Sequence, residues 1–139
     1  MITQNQETLR QISEPFSGTE TELKELFELL EFELGRVKGS GLSAIQVSIP
    51  YRVCIIRTNG KYNLFNAKII RAEQPFIFKG EGCLSMPGRF GNTKRYNVLT
   101  VLNGDGKEIK FSGYDAVVVQ HELNHWDGIL FTDDGIKEG

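Results

Sequence analysis

Histidine and cysteine are scarce in this chain of 139 residues, which holds two of each. Two cysteines, Cys54 and Cys83, are too few for a disulfide framework, and no apolar run approaches the ~20 residues of a membrane-spanning helix. Residues 1–10 are polar and lack the basic and apolar segments of a secretory signal. We therefore expect a cytoplasmic protein with reduced thiols and no membrane association.

Charge and composition narrow the class of protein further. Lysine and arginine number 16 and acidic residues 18, so the net charge is −2. No basic cluster is dense or interleaved with aromatic residues, as nucleic-acid-binding proteins require. Hydrophobic residues make up 40% and charged residues 24%, a balance typical of globular proteins. We expect one domain spanning residues 1–139, monomeric and without direct nucleic-acid binding.

The first secondary-structure element indicated by the sequence is a helix. Thr19 followed by Glu22 is a capping-box pattern, and apolar residues then recur with helical spacing over 23–34. Gly35 or Gly39 is expected to end this helix.

Strands and a second helix follow. Strands are predicted at residues 51–57, 63–70, 96–102 and 107–111, with turns at Asn59-Gly60 and at 103–106. The second helix is predicted over 114–126, with Gly128 as its stop. The order of elements indicates an α+β fold with an N-terminal helix and an antiparallel sheet.

Both histidines lie on the second predicted helix, in the segment His121-Glu122-Leu123-Asn124-His125. Residues i and i+4 lie on one helix face about 6 Å apart, so two imidazoles there can bind one divalent ion. Glu122 can place a carboxylate beside water at the metal. The apolar run 116–119 predicts a buried helix, where unpaired imidazoles would be costly. This H-E-x-x-H pattern predicts a metal site.

The third ligand must be cysteine, aspartate or glutamate, because a catalytic metal usually takes three protein ligands and no third histidine exists. Only 14 residues follow His125, and their acids are Asp127, Asp133, Asp134 and Glu138. Cys83 is the better candidate: two glycines precede it, Pro87 is expected to end regular structure, and a thiolate suits zinc or ferrous iron. Cys54, in the apolar segment 53–56, is expected to pack in the core.

Three segments together resemble the peptide deformylase family. Residues 39–46 (GSGLSAIQ) are similar to the pattern G-x-G-L-A-A-x-Q, residues 81–85 match E-G-C-L-S, and residues 120–125 (QHELNH) are similar to Q-H-E-x-D-H. Weaker similarity at Leu9-Arg10, Arg95 and 127–131 extends the resemblance over about residues 8–132.

The resemblance implies an enzyme that hydrolyses the formyl group from the formyl-methionine terminus of newly made polypeptides. It implies a motif helix packed among antiparallel strands. The implied metal ligands are Cys83, His121 and His125, and the ion is typically Fe²⁺, with Zn²⁺, Ni²⁺ or Co²⁺ as replacements. Glu122 would take a proton from water and return it to the leaving amine.

The resemblance also assigns roles outside the metal cluster. The Gln46 amide and the Leu84 backbone N–H would stabilise the oxyanion of the tetrahedral intermediate, and the backbone at Gly41 would approach the bound peptide. The expected walls of the pocket for the methionine side chain are Ser40, Leu42, Val117 and Val118.

Some positions depart from the family pattern. Ser43 replaces alanine and is expected to have little effect. Asn124 replaces aspartate and is expected to alter a contact near the metal. Trp126 replaces leucine. No ligand is removed, so activity is expected. Because the chain stops at Gly139, we expect a compact member of bacterial, viral or organellar source whose transient proximity to the ribosome is an open question.

Two other functions remain compatible with the motif. A small H-E-x-x-H zinc endopeptidase would need a downstream ligand that the short tail offers poorly. A non-catalytic protein with a structural metal at Cys83, His121 and His125 would normally supply four ligands, and only three are visible.

Overall fold

The computed structural model describes residues 1–134. The helices in this part of the chain are α1 (Gln6–Leu9), α2 (Glu20–Val37) and α3 (Tyr114–Trp126). The strands are β1 (Gly41–Ser43), β2 (Val53–Arg57), β3 (Lys61–Phe65), β4 (Lys68–Cys83), β5 (Met86–Leu102) and β6 (Glu108–Ser112). Short 3-10 helices lie at Ala44–Val47 and Phe131–Asp134. None of these helices is long and apolar enough to cross a membrane.

The start of α2 confirms the predicted capping box. The Thr19 hydroxyl accepts a hydrogen bond from the Glu22 N–H at 3.1 Å, and the Glu22 carboxylate accepts one from the Thr19 N–H at 3.0 Å. Both bonds satisfy N–H groups that have no partner inside the helix. The apolar face then buries Leu26, Leu30 and Leu34 against β1 and β2.

The end of α2 differs from the expectation that a glycine would stop it. The helix continues through Gly35, and Lys38 takes the left-handed conformation with φ 53°. An interior glycine costs only about 1 kcal/mol, which the buried neighbour Leu34 offsets. Gly39 serves close packing instead, since a Cβ there would lie 2.7 Å from Leu84 Cδ1.

All four predicted strands have wrong bounds: 96–102 is only the end of β5, 107–111 is one residue early for β6, and the first two strands differ for local reasons. β2 begins at Val53 because Tyr51 forms a bridge with Glu14 and the Arg52 N–H donates to the Glu14 carbonyl. The predicted strand 63–70 is divided at Asn66, which has φ 48° and exchanges two side-chain hydrogen bonds with the Phe16 backbone. The chain therefore leaves one sheet at this asparagine and enters the next.

The predicted hairpin around 103–106 and the second helix are confirmed. β5 pairs with β6 from Leu102↔Glu108 to Val98↔Ser112. Helix α3 has the predicted bounds and is followed by Gly128 at φ 70°.

The long hairpin of β4 and β5 was not predicted. These strands pair antiparallel from Lys68↔Leu102 to Cys83↔Met86, leaving Leu84 and Ser85 as the turn. Pro87 lies inside β5, so the expectation that it ends regular structure is wrong. This hairpin presents Cys83 at its turn.

The two sheets, ordered β1-β2-β3 and β4-β5-β6, enclose α3. One core cluster joins α3 to both sheets, through Cys54, Ile56, Leu64, Leu99, Val101, Phe111, Ala116, Val118, Val119, Leu123 and Trp126. Burial of a helix on most of its surface requires apolar residues on most faces, which explains the valine run. The α+β prediction is confirmed, and α3 lies where it can carry a buried polar site.

Candidate metal centre and active-site cavity

Three side chains predicted as ligands come together at the end of α3 and the β4–β5 turn. His121 and His125 are one helical turn apart, with their Nε2 atoms 3.2 Å from each other. Cys83 Sγ lies 3.5 Å from His125 Nε2. The ligand atoms of the three residues all lie within 4.8 Å of one another.

The chemistry of this cluster fits a divalent metal ion. Two imidazole nitrogens and a thiol sulfur face one point, and both histidines are buried. The two Nε2 atoms lie 3.2 Å apart, and burying imidazole nitrogens against each other is costly unless something binds them. Two imidazoles and a thiolate form a donor set suited to zinc or ferrous iron.

Glu81 fixes the orientation of His121, a role that the sequence reasoning missed. Its Oε2 lies 2.7 Å from His121 Nδ1, so Nδ1 carries a proton towards the carboxylate and Nε2 is turned to the cluster, 3.2 Å from His125 Nε2. Thr93 Oγ1 and Arg95 Nε donate to Glu81 Oε1 at 2.7 and 2.8 Å, and Arg95 Nη2 donates to Oε2. Carboxylate-held histidines of this kind are typical of metal sites. The signal was available, since Glu81 belongs to the same motif as Cys83.

The charges around the cluster stabilise a cation. Burial alone would raise the pKa of Glu81, but hydrogen bonds from His121 and Arg95 lower it to about 2. Burial would lower the pKa of His121, but its contacts with Cys83 and Glu81 and the charge of Glu122 raise it to about 10. The same anionic groups that hold a proton on His121 would attract a metal ion.

The pKa of His125 is shifted in the opposite direction to that of His121. Burial, and the neighbouring charge on His121, lower the pKa of His125 well below its ordinary value. The imidazole therefore stays neutral, which is the form that binds metals.

Glu122 is a buried carboxylate next to the cluster. Burial raises its pKa to about 7, within the range suited to a general base near neutral pH. The Ser43 hydroxyl lies 3.1 Å from Glu122 Oε1 and 2.9 Å from the Glu122 carbonyl oxygen. A Cβ at Gly41 would lie 2.9 Å from Glu122 Oε2, so glycine is needed there to make room for the carboxylate.

Gln46 presents its amide nitrogen to the cluster. The Ser43 N–H donates to Gln46 Oε1 at 2.9 Å, and this bond fixes which end of the amide is oxygen. Nε2 then donates to Ser85 Oγ at 3.2 Å and lies 3.7 Å from Cys83 Sγ. The side chain is buried in the first 3-10 helix, which predicts a rigid donor at the metal site.

A cavity of about 410 Å³ lies in front of the cluster. The predicted pocket residues Ser40, Gly41, Val117 and Val118 line it, together with Gln46, Leu84, His121 and Glu122. Residues of the β4–β5 hairpin complete the wall, among them Phe78, Gly80, Glu81, Gly82, Cys83, Met86 and Phe90. The prediction for Leu42 fails, because this side chain is buried in the α2 core. Neighbouring residues of a strand point to opposite faces, so Gly41 faces the cavity and Leu42 faces α2.

The two alternative ligands whose side chains the structure describes, Asp127 and Asp133, do not reach the cluster. Asp127 pairs with Arg52 at 2.8 Å and Asp133 with Arg10 at 2.6 Å, both towards the protein surface. Glu138 and the side chain of Asp134 lie outside the described residues. Cys54 is buried on β2 in the core, and burial raises its thiol pKa well above the ordinary value.

The three departures from the expected pattern have different structural consequences. Ser43 was expected to have little effect, but its hydroxyl contacts Glu122. Trp126 fills the core, and its Nε1 donates to the Val53 carbonyl at 3.3 Å. Asn124 lines a second, smaller cavity together with Thr93 and Arg95, the two residues that donate to Glu81.

Comparison with known proteins gives one consistent family. The model of the family described as polypeptide deformylase matches residues 1–138. Peptide deformylase of Symbiobacterium thermophilum is 34% identical over 135 residues, covering 91% of this chain, which spans 62% of that protein. Peptide deformylase of Finegoldia magna is 33% identical, with 94% of this chain and 85% of the relative covered.

Comparison with solved structures gives the same family. A peptide deformylase from Legionella pneumophila has a TM-score of 0.86 at 30% identity, covering 96% of this chain and 83% of that chain. A probable peptide deformylase from Synechococcus phage S-SSM7 has a TM-score of 0.85 at 36% identity, with coverages of 96% and 98%.

Proposed function

The chain belongs to the polypeptide deformylase family, the hydrolases that remove the N-formyl group from nascent polypeptides, and on this premise we propose that the cavity beside α3 is where that reaction takes place. The observation that carries the proposal is the meeting of three ligand atoms with Glu122 and Gln46 at the base of one open cavity. The proposed substrates are peptides that begin with N-formylmethionine.

Cys83, His121 and His125 would hold the metal ion. When bound, a divalent ion acidifies water and polarises the formyl carbonyl. We propose Fe²⁺ in the cell, with Zn²⁺, Ni²⁺ or Co²⁺ able to replace it, because the donor set accepts several divalent ions and availability decides among them. The Glu81 carboxylate would keep His121 in the tautomer that leaves Nε2 free for the ion.

Glu122 would act as the general base and then as the general acid. Its pKa of about 7 lets the carboxylate accept the proton of the attacking water near neutral pH. The protonated acid can then pass that proton to the leaving amine, since the same pKa makes release easy. Ser43 would hold Oε1 in place during both transfers.

Gln46 and Leu84 would stabilise the developing oxyanion. The Gln46 Nε2 is aimed at the cluster by its bond from the Ser43 N–H, and a donor fixed before the reaction costs no reorganisation. The Leu84 backbone N–H lies in the turn after Cys83 and is the second proposed donor. Gly41 would let the peptide backbone approach Glu122 closely.

The wider biological setting follows from the substrate. We propose that residues 1–139 form one catalytic domain, that the protein is a monomer acting in the cytoplasm, and that it meets nascent chains in transient proximity to the ribosome. The location and the proximity to the ribosome rest on the chemistry of N-formylmethionyl termini, which occur where such chains are made. The single domain rests on the core cluster that joins α3 to both sheets.

The test is turnover of a formyl-Met-Ala-Ser peptide by anaerobically purified protein, with metal content measured on the same sample. Glu122→Gln should keep the metal but lower kcat/KM by about 10²- to 10⁴-fold, the usual contribution of a general base. The exposed Glu73→Gln on β4 is the matched control and should leave both unchanged. A near-wild-type rate in Glu122→Gln contradicts the mechanism, and cleavage of internal peptide bonds alone indicates an endopeptidase.

A further inference from the structure

The segment that follows α3 packs against the metal cluster. Phe131, the first residue of the second 3-10 helix, is buried. Its ring lies against the His121 imidazole, with ring centroids 6.3 Å apart and planes inclined by 24°, an offset-stacked arrangement that aromatic pairs favour. Cys83 packs against the same small apolar cluster, which consists of Leu9, Met86, Leu130 and Phe131. This segment therefore contacts two of the three proposed metal ligands.

An ion pair holds the second 3-10 helix to the residue after α1. Arg10 Nη1 and Nη2 donate to the two carboxylate oxygens of Asp133 at 2.6 and 2.7 Å, a bidentate geometry that fixes both side chains. Arg10 Nη1 also donates to the Gly128 carbonyl oxygen at 3.1 Å. The Asp133 carboxylate accepts a further hydrogen bond from the Leu130 N–H at 2.9 Å. The backbone on both sides of Phe131 is therefore held in place.

Glu81 and Phe131 restrain different motions of the His121 ring. The hydrogen bond between Nδ1 and the Glu81 carboxylate fixes the direction of one ring atom. The imidazole plane can still tilt about the axis of that bond. Phe131 packs on the face of the ring, so a tilt in its direction brings the two rings into collision.

We propose that Phe131 is a positioning residue that holds the His121 imidazole in the orientation needed to bind the metal ion, and that the Arg10–Asp133 ion pair keeps Phe131 in place. The proposal rests on the metal site proposed above. Phe131 lines the second, smaller cavity and not the cavity in front of the cluster. It would therefore act through the ligands and not on the substrate.

The first test is the affinity of the full chain for Co²⁺, measured anaerobically by competition with a chromogenic chelator. Phe131→Leu keeps an apolar side chain but removes the flat ring. An aromatic pair corresponds to roughly a twofold to tenfold change in an equilibrium, so the Co²⁺ affinity should fall by about this factor. The visible absorption bands of bound Co²⁺ should also change, because they report the arrangement of the ligands.

Phe111→Leu is the matched control. Phe111 is another buried phenylalanine, on β6, and its ring packs on Tyr62 in the core. The substitution removes the same atoms and should lower the melting temperature, but it should leave the Co²⁺ affinity and absorption bands unchanged. Equal Co²⁺ affinities and equal absorption bands in Phe131→Leu and Phe111→Leu overturn the proposal.

The role of the ion pair is tested with Asp133→Asn. The amide oxygen can still accept from the Leu130 N–H, but the charge is lost, and a partly exposed ion pair corresponds to a change of at most about fivefold. The Co²⁺ affinity should fall within this limit, and Asp133→Asn should add nothing to Phe131→Leu in the double variant. Glu31→Gln breaks a different exposed ion pair, with Arg57, and should change nothing. Additive effects in the double variant would show that the ion pair does not act through Phe131.

A measurement on the metal-free protein keeps this proposal distinguishable from the proposed function. The His121 Nδ1 proton, followed by NMR, exchanges with water when the ring leaves Glu81. Phe131→Leu should speed this exchange by roughly twofold to tenfold, and Phe111→Leu should not. If wild type binds metal and deformylates peptides while the two variants agree in affinity and exchange, the function stands and the positioning role is wrong. If wild type lacks turnover but exchange is faster in Phe131→Leu alone, the positioning role stands and the function is wrong.

Discussion

Replacement of Glu81 by glutamine tests how the Glu81 carboxylate supports the proposed metal ligand His121. The carboxylate receives hydrogen bonds from Thr93, Arg95 and His121, and Glu81 and Arg95 are both about 95% buried. Glutamine has the same size but no charge. The substitution therefore leaves a buried guanidinium without its anion and an imidazole without its acceptor.

The loss of stability can be estimated in two ways that agree. Removing one partner of a buried ion pair typically costs 3–5 kcal/mol. The hydrogen bonds that hold the pKa of Glu81 at about 2, against 4.5 for a free carboxyl, correspond to about 3 kcal/mol. Because the folded-state pKa is lowered, this stabilisation is present above pH 4.5 and is lost as the pH falls towards 2. We expect metal-free Glu81→Gln to melt about 10 °C below wild type near pH 7.

The effect on metal binding has a separate cause. The glutamine amide can donate to His121 Nδ1, which would place the proton of the neutral imidazole on Nε2 and remove the lone pair that would bind the ion. Losing a carboxylate that orients a histidine ligand usually costs 10- to 100-fold in metal affinity. We expect a loss in this range.

Thermal unfolding of the metal-free protein and competition with a chromogenic chelator measure the two effects separately. Adding Arg95→Gln to Glu81→Gln removes the unpaired cation, so stability should recover in part while metal affinity stays low. Glu73→Gln is again the control, with an expected change within about 0.5 kcal/mol. Wild-type melting and wild-type affinity in Glu81→Gln would refute this account of the site.

Three further predictions concern residues that contact the cluster or Glu122. Cys83→Ala should lower the bound metal, measured by elemental analysis, well below one ion per chain, whereas Cys54→Ala should leave the metal content unchanged. Equal metal content in the two variants would reject Cys83 as a ligand. Gly41→Ala should lower kcat about tenfold or more and also lower the melting temperature, because its Cβ would lie 2.9 Å from Glu122 Oε2 and Val118 Cγ1 and 3.1 Å from the Ile55 carbonyl oxygen. An unchanged kcat would show that the carboxylate has room to move. Ser43→Ala should move the acid limb of the pH profile of kcat/KM to higher pH. The Ser43 hydrogen bond lowers the pKa of Glu122, so its loss favours the protonated acid. An acid limb at the same pH would exclude Ser43 from setting that pKa.

The features that the sequence predicted well are those encoded locally. The capping box at Thr19 and the 114–126 helix each depend on residues within one or two turns. The i, i+4 spacing of His121 and His125 likewise needs only helix geometry. Cys83 was predicted because its chemistry and its motif agreed, not because any local rule places it beside α3.

The features that were not predicted from the sequence depend on contacts between distant segments. Residues 71–95 contain no simple alternation of polar and apolar residues, because both faces of much of β4 are exposed, and alternation is the signal for a half-buried strand. The split of the predicted strand 63–70 at Asn66 depends on hydrogen bonds to Phe16, 50 positions earlier. The misplacement of Leu42 has the same origin, since only the packed α2 reveals which face of β1 is core.

The buried charges explain why a metal ion would be stabilised at this site. Glu81 and Arg95 neutralise each other, so Glu122 is the other buried carboxylate beside the histidines, and Cys83 would add the charge of a thiolate on binding a metal. A divalent ion between the histidines would balance both of them, and buried charges that are unbalanced are costly. Without an ion, the raised pKa of His121 supplies part of that balance as a proton. Because one set of groups both stabilises the cation and activates water, substitutions at Glu81 or Arg95 should affect folding, metal affinity and catalysis together.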